Sequence, residues 1–348
     1  MGSLPNFKDW PDNLPRLTPR EVREAYEVHE FRGCIDDPEE AERLDNCLDW
    51  KTWTDAAHEF GTAHAGAGKL SRPWLCATVH EEDIFPGPPQ TRGDCVSRAT
   101  ANACAVTMFC EIESGVADEV TGLVEHYEPV ERPEQGVVAS EVIYGHRGHR
   151  GEGANCDRLA RFVSVDGGVM LRKRYDFPEY GVLDLTTYDA DIGFFMGPEV
   201  PREICDKAGE HRIRDVTRVE TVEEAVDALS CGYGLSICSD YGFGHRRDRF
   251  GVARHFGSWA HAMAVIGCND DPDDPACIAH GRPLLLILNS WGSGWQAGPR
   301  YNGQPPGSFW ISARTARGMV SSGSCFAFSC LDGFPRRELP DYGATGHI

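Results

Sequence analysis

The sequence predicts an α+β fold, with helices gathered in the first two thirds of the chain and strands in the last third. Two observations carry this. Residues 96–113 are a run of small and periodically apolar residues with no proline or glycine before Gly115. That is enough for one helix of about five turns starting at Cys95. From residue 234 onward, β-type runs at 234–238, 261–268, 284–288, 308–312 and 324–330 are separated by turns rich in Gly and Pro.

The elements follow in order. The first ~65 residues read as a separate helical segment, because Thr18 before Pro19 and Asp37 before Pro38 each place an N-cap ahead of a proline at the first helical position. Gly61 closes a third helical run that begins near Lys51, and Trp50 and Trp53 offer surface for packing. The expected division is a helical extension over 1–66, a main domain over 67–340 and a tail over 341–348. A second helix is expected from about 155 to 165, stopped by Gly167-Gly168. Thr221-Val222-Glu223-Glu224 is a capping box that starts another, ending near Cys231-Gly232.

At 348 residues the chain is long enough to bury a substantial core, and its 41% apolar and 25% charged composition is that of a globular protein. A formal charge of −20 argues against nucleic acid or an anionic membrane as a partner. The longest apolar run, 284–288, falls far short of the ~20 residues of a membrane span. Met1-Gly2-Ser3-Leu4-Pro5-Asn6 has neither a secretion signal nor the hydroxyl residue of a myristoylation site, so a cytoplasmic or intra-virion location is expected. For the same reason most of the fourteen cysteines read as reduced, small core residues. No close ligand pair suggests zinc, and no cofactor is expected.

Three islands carry chemistry. Gln90-Thr91-Arg92-Gly93-Asp94-Cys95 opens the long helix, His261 stands in Trp259-Ala260-His261-Ala262-Met263-Ala264-Val265-Ile266-Gly267, and Asn289-Ser290-Trp291-Gly292 follows a strand. A thiol with a pKa near 8.5 is mostly neutral at pH 7; a helix N-terminus and a cationic partner favour its ionised form. Imidazole has the pKa range to take that proton and return it to a leaving group. An asparagine amide can fix the imidazole tautomer as the third member of a triad.

In these islands the chain resembles the papain-like cysteine peptidases. Gln90, Gly93 and Cys95 match the family's approach to its nucleophile; His261 and the small and apolar residues after it match its histidine strand; Asn289 to Gly292, with Gly294-Trp295 behind, match its Asn-Ser-Trp-Gly block. Weaker echoes are Ala139-Ser140-Glu141-Val142-Ile143, the Gly- and Cys-rich loop at 148–156 as a substrate-cleft loop, and the stretch at 232–243. The resemblance spans about residues 73–334. It implies a two-lobed fold, with a helical lobe holding the nucleophile helix and a β-barrel-like lobe. It also implies hydrolysis of peptide bonds through a thioester, with Cys95 attacking, His261 shuttling the proton, Asn289 orienting it and Trp291 shielding their hydrogen bond. The Cys95 N–H and the Gln90 amide would hold the oxyanion. The same thioester could pass to an amine.

Departures from the family pattern are also legible. Gln90 lies five residues before Cys95, one fewer than in papain, and Arg92 and Val96 stand where the family usually has a cysteine and a tryptophan. Asp94 sets a carboxylate beside the thiol and would oppose its ionisation unless it caps the helix. His261 and Asn289 follow Cys95 by 166 and 194 residues, above the usual roughly 130–150, so insertions are expected, the clearest at Asn269-Asp270-Asp271-Pro272-Asp273-Asp274-Pro275. This loop reads better as a solvated acidic turn than as a calcium site, because it lacks the ligand alternation and glycine of a calcium loop.

Two basic clusters, His146, Arg147, His149, Arg150, Arg158 and Arg161, and then His245, Arg246, Arg247, Arg249 and Arg254, read either as a positive cleft for acidic peptide or, with more weight, as loops serving local carboxylates. The N-terminal extension reads either as a cleft-blocking pro-segment or as a fixed structural element. The leading functional expectation is a cysteine endopeptidase. The alternative is a papain fold kept as a structural or binding protein, such as a virion or assembly component; the Gln-x-x-Gly-Asp-Cys-Val-Ser form of the motif is similar to bacteriophage and environmental bacterial sequences.

Overall fold

The structure, a computed structural model, describes residues 18, 20–22, 24, 34, 51–79, 84–114, 137–197 and 200–342. Residues 1–6, the Asp37-Pro38 start, Trp50 and residues 343–348 lie outside them. Among the described residues the fold is α+β, and no helix is long and apolar enough to cross a membrane.

The expected N-cap at Thr18 forms, with its N–H and hydroxyl donating to Glu21. Helix α1 (Trp53–Phe60) starts on the Thr52 hydroxyl, which accepts from Asp55 N–H, and stops at Gly61, which adopts the left-handed φ of 68°. It is fastened to the body. Trp53 packs edge-on to Phe334 with ring centroids 5.2 Å apart, the Thr54 N–H donates to Glu224 at 3.1 Å, and the Arg218 N–H donates to the Lys51 carbonyl at 3.2 Å.

Strand β1 (Leu70–Ser71) and helix α2 (Trp74–Thr78) lead to the long helix α3, Cys95–Glu113, which begins at the residue expected from the sequence. It is buried on nearly every side, so it shows no polar face, and Ala99, Ala101, Ala103 and Ala105 let neighbouring elements approach closely. Next come β2 (Val138–Ala139), α4 (Ser140–Gly145) and α5 (Cys156–Arg161), the last capped by the Asn155 side chain and prolonged by a π turn to Asp166. Strands β3 (Met170–Leu171), β4 (Arg174–Phe177) and β5 (Gly181–Asp184) and helices α6 (Ala190–Met196) and α7 (Arg202–Ala208) complete this half.

The second half is built on β6 (Asp215–Arg218), α8 (Val222–Ser230), β7 (Leu235–Arg247), β8 (Ala253–Asn269), α9 (Pro275–His280), β9 (Leu284–Leu288), β10 (Ser308–Ile311), α10 (Ala313–Ser322) and β11 (Ser324–Ser329). The capping box of α8 forms as expected. The strand order is β10-β9-β8-β7-β11-β6, with β1 added on β8, and every pairing is antiparallel. Among the described residues no pairing joins β10 to β6. The outer sides of β10 and β6 instead carry isolated parallel bridges, Trp310 to Val252 and Arg218 to Thr52.

Strands β7 and β8 extend beyond their apolar stretches. Register shifts between Ser239 and Arg247 carry the hairpin into an exposed arm that includes Arg254, His255 and Phe256. Strand β9 is buried along its whole length, as a continuous Leu-Leu-Leu-Ile-Leu run requires. Gly267 on β8 is fixed by packing, because a Cβ there would lie 2.2 Å from the Trp74 ring.

Candidate active site

Cys95 is the first residue of α3, and its thiol faces β8. The Ala262 N–H donates to Cys95 Sγ at 3.3 Å, so the sulphur lies against the peptide that follows His261. Cys95, His261 and Asn289 are all 0% exposed. The sheet register places His261 opposite Ser239, on the central β7–β8 pair, while Asn289 directly follows β9 on the neighbouring strand.

The hydrogen bonds fix the imidazole tautomer. Asn289 Oδ1 accepts from the Ser290 backbone N–H at 2.7 Å and faces His261 Nε2 at 2.9 Å. A backbone N–H can only donate, so the shared Asn289 atom is the oxygen, and Nε2 must carry the imidazole proton. Nδ1 is then the nitrogen with the lone pair, the one a general base needs. Burial pushes the His261 pKa down to about 4, against the smaller opposing effect of the Asn289 bond. In this covered state the imidazole is neutral at pH 7. The Trp291 ring lies over His261 with centroids 4.9 Å apart and planes inclined by 33°, and Trp259 meets both rings.

Gln90 is 0% exposed and is bound into the loop. Its Nε2 donates to the Arg92 carbonyl at 2.7 Å, its Oε1 accepts from the Ser290 hydroxyl, and its backbone N–H donates to the Ser290 carbonyl at 2.8 Å. Gln90 thus connects the cysteine approach directly to the Asn289 block. Ser290, which the sequence offered only as part of a motif, makes that connection from both its main chain and its side chain.

Asp94 does not cap α3 with its side chain. Its Oδ2 accepts from the Tyr188 hydroxyl at 2.8 Å, and its Oδ1 has no hydrogen-bond partner among the described residues. Burial raises its pKa to about 7, opposed by the Arg98 charge and the Tyr188 bond. A carboxyl whose pKa is raised in this way carries less charge at pH 7 than a solvated aspartate, which weakens any opposition to a thiolate at Cys95. Tyr188 also accepts from the Thr91 N–H, and nothing in the sequence marked it.

Glu152, likewise unmarked, is the hub of the opposite loop. It accepts from the Gly93 N–H at 2.7 Å, from Arg92 at 3.1 Å and from the Tyr144 hydroxyl at 2.8 Å. A Cβ on Gly93 would come within 3.0 Å of both the Glu152 Cβ and the Gly153 nitrogen, so only glycine fits this contact without displacement.

The basic clusters divide. Arg147 is buried and donates to the carbonyls of Gly151, Tyr144, Gly193 and Phe194, and Arg247 to those of Ser308, Gln296 and Gly298. The guanidinium groups of these two are committed to backbone carbonyls. Arg161 does pair with Asp166, at 2.8 Å, whereas Arg150, Arg246, Arg249 and Arg254 are exposed. In the acidic loop, Asp271 Oδ1 accepts from Asp273 N–H, and Asp274 caps α9, a helix the sequence reading took for loop.

Most of the described cysteines outside this site are buried in the core with their thiol pKa values raised by burial, among them Cys268 to about 12. Cys156 and Cys238 form a disulfide, and the sulphurs of Cys34, Cys156 and Cys238 lie within 4.8 Å of one another.

No family model matches the chain, and no curated protein matches it. Among solved structures it is similar to xylellain, a cysteine protease from Xylella fastidiosa, with TM-score 0.42 and 17% identity over 71% of this chain and 82% of that one. It is also similar to digestive procathepsin L2 proteinase from Tenebrio molitor larval midgut, with TM-score 0.42 and 13% identity over 75% of this chain and 68% of that one. A third is procathepsin B S9 from Trypanosoma congolense, with TM-score 0.42 and 12% identity over 77% of this chain and 78% of that one.

Proposed function

We propose that the protein is a cysteine peptidase that hydrolyses peptide bonds through Cys95, His261 and Asn289. The observation that carries this is the hydrogen-bonded path from Asn289 Oδ1 to His261 Nε2, together with a thiol at a helix start held against the Ala262 N–H. On this reading His261 Nδ1 takes the Cys95 proton, the sulphur adds to the scissile carbonyl, and the imidazolium returns the proton to the leaving amine. Water then cleaves the thioester by the same route in reverse. The Cys95 backbone N–H and the Gln90 amide, which here gives one of its two N–H bonds to the Arg92 carbonyl, are the donors for the oxyanion. Trp291 keeps water from the His261–Asn289 bond. Exposed Arg150, Arg246 and Arg254 favour an acidic peptide, a salt-sensitive preference worth about 1 kcal/mol or less each.

The full burial of the three groups favours a covered, latent form over an open one. A fluorogenic peptide library, assayed with the full chain before and after limited proteolysis, tests the proposal. Hydrolysis that disappears in Cys95→Ala supports it. No turnover in any form, with Cys95 resistant to iodoacetamide throughout, would leave the structural or binding role as the better account.

A further inference from the structure

We propose that Cys34, Cys156 and Cys238 form a thiol–disulfide exchange site that tethers Cys34 covalently beside the candidate triad. The exchange stands independently of the peptidase reading; only its effect on Cys95 chemistry rests on that reading.

The Cys34 main chain is held from two sides. Its N–H donates to the Ala260 carbonyl at 3.0 Å, and it forms a parallel bridge with Ala154. Ala260 immediately precedes His261. Ala154 follows the loop whose Glu152 grips Gly93, two residues before Cys95. Cys34 therefore lies between the histidine strand and the loop that supports the nucleophile, beside residues that are themselves fully buried.

This backbone seating delivers the Cys34 sulphur to within 3.7 Å of Cys156 Sγ, which is the contact distance of two sulphur atoms. Cys156 is the first residue of α5 and is joined to Cys238 on β7, in register with Ala262. All three cysteines line an open cavity of about 680 Å³ that also includes Asp157 and Arg218, giving solvent and small thiols a route to the sulphurs.

The reaction is an exchange without net oxidation. The Cys34 thiol loses its proton and its sulphur attacks Cys156 Sγ. The Cys34–Cys156 bond forms, the Cys156–Cys238 bond breaks, and Cys238 leaves as the thiolate that takes up a proton. Chain entropy barely distinguishes the two bonds: closing a separation of 122 residues in place of 82 changes the loop-closure odds only about two-fold. A dithiol reductant supplies two electrons to either bond and releases Cys34.

The test uses the full chain, purified without reductant and equilibrated across a range of reduced-to-oxidised glutathione ratios. It is then acid-quenched, alkylated and mapped without reduction. The wild type should yield both Cys156–Cys238 and Cys34–Cys156 linked peptides, Cys34→Ser only the first, and oxidised Cys238→Ser only the second. Cys34→Ser keeps the test decisive if replacing the buried Cys238 harms folding. Finding only Cys156–Cys238 in the wild type at every ratio, with no Cys34–Cys156 bond in oxidised Cys238→Ser, would overturn the exchange.

The tether has its own readout. A covalent link raises the effective concentration of Cys34 at its seat between Ala260 and Ala154, so iodoacetamide labelling of Cys95 in Cys238→Ser should fall by about 100-fold on oxidation. Equal labelling in both states, with the Cys34–Cys156 bond demonstrated, would overturn the tether. Cys95 that resists labelling even after reduction and proteolytic removal of the Cys34 segment counts instead against the peptidase reading.

Discussion

The two ends of helix α3 each bury an acid, and they keep it in different company. At the start, Asp94 has a neutral partner, the Tyr188 hydroxyl, while the nearby Arg98 guanidinium donates to the Pro86 and Pro88 carbonyls and stacks on the Tyr188 ring. Near the end, Glu111 has a cation of its own: Arg337 Nη1 lies 3.3 Å from its carboxylate, stacked 4.1 Å over the Tyr233 ring. Burial raises both acids, and at each an arginine charge is the main opposing effect, Arg98 at Asp94 without contact and Arg337 at Glu111 in contact. The Asp94 carboxyl is left to titrate near neutrality, and the Glu111 carboxyl lies against a guanidinium. The difference separates an acid hydrogen-bonded to a hydroxyl from one in contact with a cation.

On the peptidase reading, removing His261 should have the largest effect, and only on chemistry. His261→Ala should lower peptide hydrolysis about 10⁶-fold, as loss of a base in such a unit does, with the circular dichroism spectrum unchanged. Asn289→Ala should cost less, roughly 10⁴-fold, because nucleophile and base remain while the tautomer is no longer held. If the two variants lost activity equally, Asn289 would have no separate orienting role.

The opposite end should respond in stability. Arg337→Ala leaves Glu111 buried beside no cation and should cost about 3–5 kcal/mol in denaturant unfolding at pH 7, much of it recovered by Glu111→Gln in the same chain. A loss below about 1 kcal/mol would show that Glu111 is already protonated and that the two ends are alike.

The smallest effect is at Asp94, where it depends on pH. A carboxyl whose folded pKa is raised contributes stability that is fully present below the unfolded value near 3.9 and is lost as pH rises through the folded value of about 7. Asp94→Asn keeps the acceptor without the charge. Its stability relative to wild type should therefore grow between about pH 4 and pH 7, reaching on the order of 2–4 kcal/mol. His261 works in the other direction, since its lowered pKa means its contribution is present above the unfolded value near 6.5 and is lost as pH falls through about 4. Because His261 is common to both proteins, a difference between them that does not change with pH would remove Asp94 as a titrating group.

Local chemistry made much of this legible in the sequence. The start of α3 at Cys95, the capping box of α8 and the limits of β9 agree with the expectations because each rests on neighbouring residues: a helix-forming run, a reciprocal cap, an uninterrupted apolar stretch. The exposed arm of β7 and β8 was not legible, since its residues are paired by hairpin geometry and carry no alternating apolar pattern. Helix α9 was hidden by its own cap, because four aspartates in six residues read as a loop until Asp274 is seen holding the Ala276 and Cys277 N–H groups.

By itself the sequence determined the α+β class, the residue types of the candidate triad and the elements that present them, all of which are set within a few turns or one strand. Only the tertiary structure decided that Ser290 joins Gln90 to Asn289, that Asp94 bonds Tyr188 in place of capping α3, and that Cys34 reaches Cys156 across 122 residues and Cys156 reaches Cys238 across 82. Such contacts have no sequence period, because the burial of many dispersed apolar groups creates them, and partners that distant become neighbours only when the whole core has closed.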